Sequence, residues 1–302
     1  MTRLLTRIAK LVLRTLPVYP AADYRPLEQL TLESGLRQAK VSYEDERQGG
    51  LLRFFEGKVK FECGRALDLG SGLGGRTIAF QGVTGGEVIG LEIDERMAQP
   101  SLAYAREMQN DEVGFVVGLA EALPFADDSF DLIFCYDVME HVADPEQTLR
   151  ATYRVLRPGG HLLLVFPPYF HPTGAHLEGY VSRVPYANLL FPASVLRRAI
   201  DEILAERNDG YHPQPLRPGD KLYGLNGTTI HRFEQLLQQS AFEVEGLELL
   251  PLMSQANRKY EAWRMRYYAW IFRLLPRLPL LREIFTHRIV VALRKPINPP
   301  TT

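Results

Sequence analysis

The sequence predicts an α/β protein, a Rossmann-like doubly wound sheet of about seven strands, and three observations predict it. From Arg65 onward, short apolar runs alternate with stretches of helical periodicity, the mark of βαβ units around a parallel sheet. The first run ends directly in a glycine-rich turn, and the second ends in acidic residues. Taken in order, residues 66–69, 87–93, 113–117, 130–136 and 161–166 read as strands, with helices at 74–81, 95–109 and 145–156 between them. The last of these helices opens on Asp144 as a cap with Pro145 in its first turn, and Arg157-Pro158-Gly159-Gly160 reads as its stop. The spacing then breaks. Residues 167–226 hold eight prolines and one clear helix, near 193–207, and read as a lid. A helix at 228–239, a strand near 242–249 and a final apolar run at 288–293 close the sheet. The expected organisation is therefore an N-terminal amphipathic helix and helical lead-in (1–57), a ligand-binding Rossmann-like half (58–166) and the lid (167–226). The closing helix and strands follow (227–251 and 287–296), interrupted by a basic, aromatic helical insertion (252–286).

A chain of 302 residues with 46% hydrophobic and 24% charged residues can bury a sizeable core, which excludes disorder and fibre. Its two cysteines, Cys63 and Cys135, make no disulfide framework, and no signal peptide opens the chain, so a reducing, cytoplasmic home is expected. The net charge of −1 is unevenly spread: residues 1–16 carry +4 and residues 258–302 carry +8, which leaves −13 for residues 17–257. Basic ends on an acidic body suggest that the ends face something anionic.

The turn Gly70-Ser71-Gly72-Leu73-Gly74-Gly75 follows a strand and opens a helix, so its backbone can approach a ligand and offer free amides. Gly70, Gly72 and Gly75 match the dinucleotide spacing G-x-G-x-x-G, although a tight turn that merely reverses the chain has the same pattern. Asp68, two residues before the first glycine, serves a pyrophosphate poorly and a cationic or amino-bearing ligand better. At the end of the second strand, Glu92 is placed to accept ribose hydroxyls, with Asp94 as a substitute.

Six blocks then carry a family resemblance: Leu67-Asp68-Leu69-Gly70-Ser71-Gly72, Gly90-Leu91-Glu92-Ile93, Ala120-Glu121-Ala122-Leu123-Pro124-Phe125, Ser129-Phe130-Asp131-Leu132-Ile133, Val138-Met139-Glu140-His141-Val142 and Leu156-Arg157-Pro158-Gly159-Gly160. In this order and spacing the chain resembles the class I S-adenosylmethionine-dependent methyltransferases. Within them it is most similar to the small-molecule, type 11 branch that includes the ubiquinone and menaquinone methyltransferases. The likeness is strong over 64–166, fair over 228–296 and absent from the lid and the termini.

It implies S-adenosylmethionine as cofactor, with Gly70, Ser71, Gly72 and Gly74 against its methionine part and Glu92, next to Ile93, on the ribose. By the same likeness Ala120 and Glu121 lie beside the adenine, and Tyr136 and Asp137 face the reacting methyl group. In one departure, Leu119 stands where the family usually has an acid for the adenine amino group. Either Glu121 or a backbone carbonyl substitutes, or cofactor binding is weakened.

Methyl transfer is a direct displacement from a sulfonium, which asks for alignment and exclusion of water, with acid–base help only for hydroxyl or carbon acceptors. Candidate bases are His141, after the fourth strand, and His171 and His176, after the fifth; ordinary loop hydrogen bonding accounts for the same residues. His171 and His176 with His212 do not form a recognised ligand spacing, so no metal is expected.

Leu4, Leu5, Ile8, Leu11 and Val12 recur at helical spacing beside Arg3, Arg7, Lys10 and Arg14, which is how an interfacial helix is built. The 252–286 insertion repeats that chemistry with Trp263, Tyr267, Tyr268 and Trp270 among Arg264, Arg266 and Arg273. Attachment to the inner face of an anionic membrane is one reading of both segments, and packing on the sheet or on a partner subunit is the other. The acidic body argues against nucleic acid. The expected function is methyl transfer to a small, hydrophobic or membrane-associated acceptor on oxygen or carbon. A soluble sugar or secondary metabolite as acceptor, a catalytically inactive membrane- or subunit-binding module, and a nicotinamide-dependent enzyme are the competing readings.

Overall fold

The computed structural model describes residues 2–15, 30–177, 181, 184–207, 216–252, 275–279 and 281–297. Its strands are β1 (Arg65–Leu69), β2 (Glu87–Glu92), β3 (Val113–Val117), β4 (Phe130–Tyr136), β5 (Leu156–Phe166), β6 (Glu243–Pro251) and β7 (Thr286–Arg294). They form one seven-stranded sheet in the order β3-β2-β1-β4-β5-β7-β6. β1 pairs in parallel with β2 on one side and β4 on the other, so that Leu67 faces Ile89 and Ile133. Strands covered on both faces read as continuous apolar runs, and β1 and β4 do so because most of their residues are buried. The strand order reverses at β1, and in open α/β sheets ligands bind at the carboxyl ends of the strands at such a point.

The helices are α1 (Thr2–Thr15), α2 (Leu32–Arg47), α3 (Gly75–Thr84), α4 (Ala98–Glu107), α5 (Pro145–Val155), α6 (Ala187–Leu190), α7 (Ala193–Arg207), α8 (Ile230–Gln239) and α9 (Arg282–Phe285). Asp144 caps α5 as expected, its side chain accepting from the amides of Glu146 and Gln147. Two expectations change. The helix expected at 95–109 is a 3-10 turn, Glu95–Met97, capped by Asp94, followed by α4. The break falls where it places Pro100 in the first turn of α4, where a missing N–H costs nothing. Arg157-Pro158-Gly159-Gly160 is not a loop after α5 but the opening of β5. Gly159 N donates to Lys295 O at 2.8 Å, and Lys295 N to Gly160 O at 2.9 Å, so pairing with the far end of the chain extends the strand.

The chain divides into two compact units. One comprises residues 1–26, 167–233 and 249–289; the other comprises 27–166, 234–248 and 290–302. In the first, α1 lies on α7, and Ala9 and Leu13 join Leu196, Ala199, Ile200 and Ile203 in one core. Lys10 bridges Glu202 and Glu206 at 2.9 and 2.6 Å, and Arg14 pairs with Glu206. Glu283 of α9 accepts from the amides of Ile230 and His231 at 3.0 and 2.9 Å, closing the amino end of α8. In the second unit α2 and α4 cover one face of the sheet, with Ala39, Ile78, Tyr104 and Val113 at the contact. Buried Glu46 ends α2 by accepting from the amides of Leu51 and Leu52, both at 3.0 Å. Residues 253–274 and 280, with the aromatic and arginine residues expected to face a membrane, lie outside the described residues, as does His212.

Candidate active site

At the carboxyl end of β1 the chain turns through three glycines of positive φ: Gly70 (79°), Gly72 (53°) and Gly74 (77°). Only glycine adopts this region freely. Gly70 is further held by space, since a Cβ there would overlap the Val138 side chain. A Cβ on Gly72 would meet nothing within 4 Å, so the turn is open above that residue. The hydroxyl of Ser71 is buried with no hydrogen-bond partner.

Glu92, at the end of β2, ties the two strands together. One carboxylate oxygen accepts from Gly72 N at 2.9 Å, and the other from Ile93 N and Asp94 N at 2.8 and 3.2 Å. A carboxylate offers about four lone-pair sites, so Glu92 retains about one for a ribose hydroxyl. Asp94 does not stand in for Glu92: its carboxylate is taken by the Arg96 backbone and guanidinium, which hold its pKa below the ordinary value.

Besides Glu46, two carboxyls are buried in this unit, Asp68 two residues before the turn and Glu140 two residues after Val138, which packs against Gly70. Asp68 accepts from the Thr77 hydroxyl at 2.7 Å, yet burial pushes its pKa up to about 7 against that bond and the Arg76 charge. Glu140 has both oxygens buried without a partner, and burial pushes it up to about 8. Its carboxylate lies 3.9 Å from His141 Nε2, and the His141 ring is part-exposed. Arg76 lies over the Tyr136 ring, 4.5 Å from its centroid. An orphaned hydroxyl, an open glycine turn and two carboxyls whose ionisation burial suppresses suit a cationic ligand with a ribose, which S-adenosylmethionine is.

The block from Ala120 to Phe125 is held by Arg154 of α5, which donates to Phe125 O at 2.7 Å and Leu123 O at 2.8 Å. Ala120 is buried and Leu119 exposed. Glu121 is committed elsewhere: one oxygen accepts from Ala143 N at 2.6 Å and Asp144 N at 3.3 Å, just before α5. The structure thus gathers Asp68, Gly70, Ser71, Gly72, Gly74, Glu92, Ile93, Ala120, Glu121, Tyr136 and His141 in one unit, while His171 and His176 belong to the other.

In that other unit, Thr173 N donates to His171 Nδ1 at 3.3 Å, which leaves Nε2 carrying the hydrogen that it donates to His287 Nδ1 at 2.9 Å. Burial lowers the pKa of His171 to about 3, with His287 and His176 adding to the effect. Burial likewise lowers His176 to about 4, and His287 also lies below its ordinary value. All three are neutral at pH 7, and His171 ties the loop after β5 to the start of β7. His287 went unremarked in the sequence because it sits at the edge of an apolar run and gives no local signal.

The sheet, its glycine turn and the acid at the end of β2 are those of a class I S-adenosylmethionine-dependent methyltransferase. Residues 67–164 match the family described as "Methyltransferase domain", and this stretch is similar to the type 11 methyltransferases, whose cofactor is S-adenosylmethionine. The chain is 33% identical over 148 residues to the uncharacterized methyltransferase YcgJ of Bacillus subtilis, covering 49% of this chain and 56% of that protein. It is 34% identical over 151 residues to the ubiquinone/menaquinone biosynthesis C-methyltransferase UbiE of Vibrio vulnificus, covering 45% and 56%. The chain thus spans just over half the length of these relatives. Among solved structures, phosphoethanolamine N-methyltransferase 2 of Haemonchus contortus in complex with S-adenosyl-L-methionine aligns with a TM-score of 0.53 at 17% identity, over 91% of this chain and 60% of that one. A chain from the complex of the Haloferax volcanii Trm112 activator with a putative methyltransferase aligns at 0.52 and 16%, over 88% and 97%. Both likenesses are of fold.

Proposed function

We propose that the protein transfers the methyl group of S-adenosylmethionine to a small apolar acceptor drawn from an anionic membrane surface. The observation that carries this reading is the outward face of α1. The helix already satisfies one apolar stripe against α7, through Ala9 and Leu13, yet Leu4 and Leu11 remain 63% and 61% exposed, with Ile8 also exposed. Arg3 and Arg7 are exposed on the same helix, which carries no acidic residue. Leucines and arginines on the outside of a helix that no longer needs them for the core are the composition of an interfacial helix. Among the described residues no helix is long and apolar enough to cross a membrane, so this helix would attach at the surface. The UbiE relatives, whose name specifies C-methylation in quinone biosynthesis, support the acceptor class.

The bound cofactor supplies an electrophilic methyl group on a sulfonium. For that chemistry the chain contributes Glu92 toward the ribose, the glycine turn and Ser71 toward the methionine part, and the buried Asp68 as counter-charge. A carbon acceptor of the quinol kind must shed a hydroxyl proton as its ring attacks. His141, part-exposed beyond β4 and backed by the Glu140 carboxyl, is the group placed to hold that proton.

Flotation of the full chain with phosphatidylglycerol-containing vesicles at low salt tests attachment. The protein should float with the vesicles, and Leu4→Glu/Leu11→Glu should remain at the bottom. Failure of the wild type to float, or equal flotation of the double variant, refutes attachment through α1. Incubation with radiolabelled S-adenosylmethionine and reduced naphthoquinone in the same vesicles tests the acceptor class, which fails if no label enters the quinol.

A further inference from the structure

We infer that this protein holds the adenine of its cofactor by apolar contact and leaves the 6-amino group unread, with Leu119 the residue that sets this specificity. The inference rests on the cofactor and not on the acceptor.

The placement of the base follows from the ribose. Glu92 stands twenty residues after Gly72 and is bonded to its amide, the relation by which an acid after a glycine turn takes a ribose hydroxyl. β3 is the strand beyond β2, with Glu92 in register with Val117, and Gly118 N donates to Glu92 O at 3.0 Å. A base attached to that ribose on the side away from the glycine turn therefore lies over the ends of β2 and β3. There the chain exposes three apolar side chains: Ile93 (54%), Val117 (49%) and Leu119 (49%). Aliphatic groups at such a ledge suit the flat face of a purine.

The carboxylates that the sequence offered for the ribose and the amino group, Glu92, Asp94 and Glu121, are all engaged in this structure. Glu92 holds the amides of Gly72, Ile93 and Asp94. Asp94 holds Arg96. Glu121, the nearest acid to Leu119 in the chain, holds the amides of Ala143 and Asp144, and turning it to the base would strip two donors just ahead of α5. The backbone beside Leu119 is also engaged, because its carbonyl accepts from Ala122 N at 3.2 Å and closes the turn. Of the alternatives to an acid at this position, Glu121 is thereby spent and the Leu119 carbonyl already closes the turn, which favours contact with the purine face.

The experiment is calorimetric titration of the full chain with S-adenosylhomocysteine and with its purine analogue lacking only the 6-amino group. Wild type should bind the two within roughly 3-fold, since an unread group is worth little on an exposed ledge. Leu119→Asp should then favour the amino-bearing ligand by about 10-fold or more, the ratio for a hydrogen bond to a charged acceptor. Leu119→Ala should weaken both ligands alike. Circular dichroism of each variant confirms folding. A wild-type preference above about 3-fold would mean that a backbone carbonyl or a side chain reads the amino group, and it would overturn the inference. So would an unchanged ratio in Leu119→Asp. If neither ligand binds, the cofactor assignment itself fails together with the inference.

Discussion

Replacing Asp68 by Asn should abolish the acidic limb of cofactor binding. The Asp68 carboxyl lies in the interior with its pKa pushed from 3.8 up to about 7, almost wholly by burial. A ligand that brings an ammonium favours the ionised carboxylate, so the ligand-free protein must lose a proton to bind. With a free-state pKa of about 7, the unfavourable factor 1 + 10^(7−pH) is about 33 at pH 5.5 and about 1.3 at pH 7.5. Affinity should therefore fall roughly 25-fold, or about 1.9 kcal/mol, between those two pH values.

S-adenosylhomocysteine is the ligand for this assay, because its amino group remains largely protonated over the range. Calorimetry in buffers of different ionisation enthalpy should register release of about half a proton per binding event at pH 7. In Asp68→Asn both the slope and the proton release should vanish. A flat wild-type profile, or a slope that survives the substitution, refutes the assignment of Asp68 to the cation. The same raised pKa implies that the ligand-free fold has its full stability from this group only below pH 3.8 and loses it as the pH rises through 7.

Three further substitutions separate backbone strain, packing and charge. Gly70→Ala meets both a φ of 79° and the Val138 side chain, and should cost about 3 kcal/mol in urea unfolding, whereas Gly72→Ala, with open space around it, should cost about 1 kcal/mol. Equal costs would show that Val138 yields freely. His287→Leu removes the acceptor of the His171 ring and should cost about 1–3 kcal/mol at pH 7. His171, His176 and His287 all titrate below their ordinary value in the fold, so their stabilising contribution is complete above pH 6.5 and is lost as the pH falls toward 4. The wild-type unfolding midpoint should drop over that interval, and His287→Leu should drop less steeply. Parallel curves would count against the buried histidine pair as the cause.

The β1 glycine turn, the Glu92 position and the Asp144 cap were legible because each depends on residues adjacent in the chain: a strand, its turn and the first amides of the next helix. What was not legible depends on partners far away. Arg157-Pro158-Gly159-Gly160 looks like a stop by composition, and pairing with Lys295, 135 residues after Gly160, carries the strand through it. Glu121 reads as a cofactor neighbour from its motif, but its carboxylate is used by amides more than twenty residues on. The stripe of α1 was visible as helical spacing, yet nothing local says which of its apolar residues α7 covers and which it leaves to solvent. His171 was chosen for its position after a strand, and the partner that occupies its second nitrogen lies 116 residues later.

The place of β7 in the sheet bears on how the protein is made. It is the last strand along the chain yet lies between β5 and β6, with Ile289, Val291 and Leu293 wholly buried. At a synthesis rate of about 5–20 residues per second, roughly 3–10 seconds separate the start of β6 from the completion of β7. During that interval β6 has no neighbour, and β5 presents an unpaired edge that is apolar from Leu162 to Phe166. The growing chain therefore passes through a stage with two open strand edges, which a chaperone or a neighbouring nascent chain meets before the strand that closes them has been made.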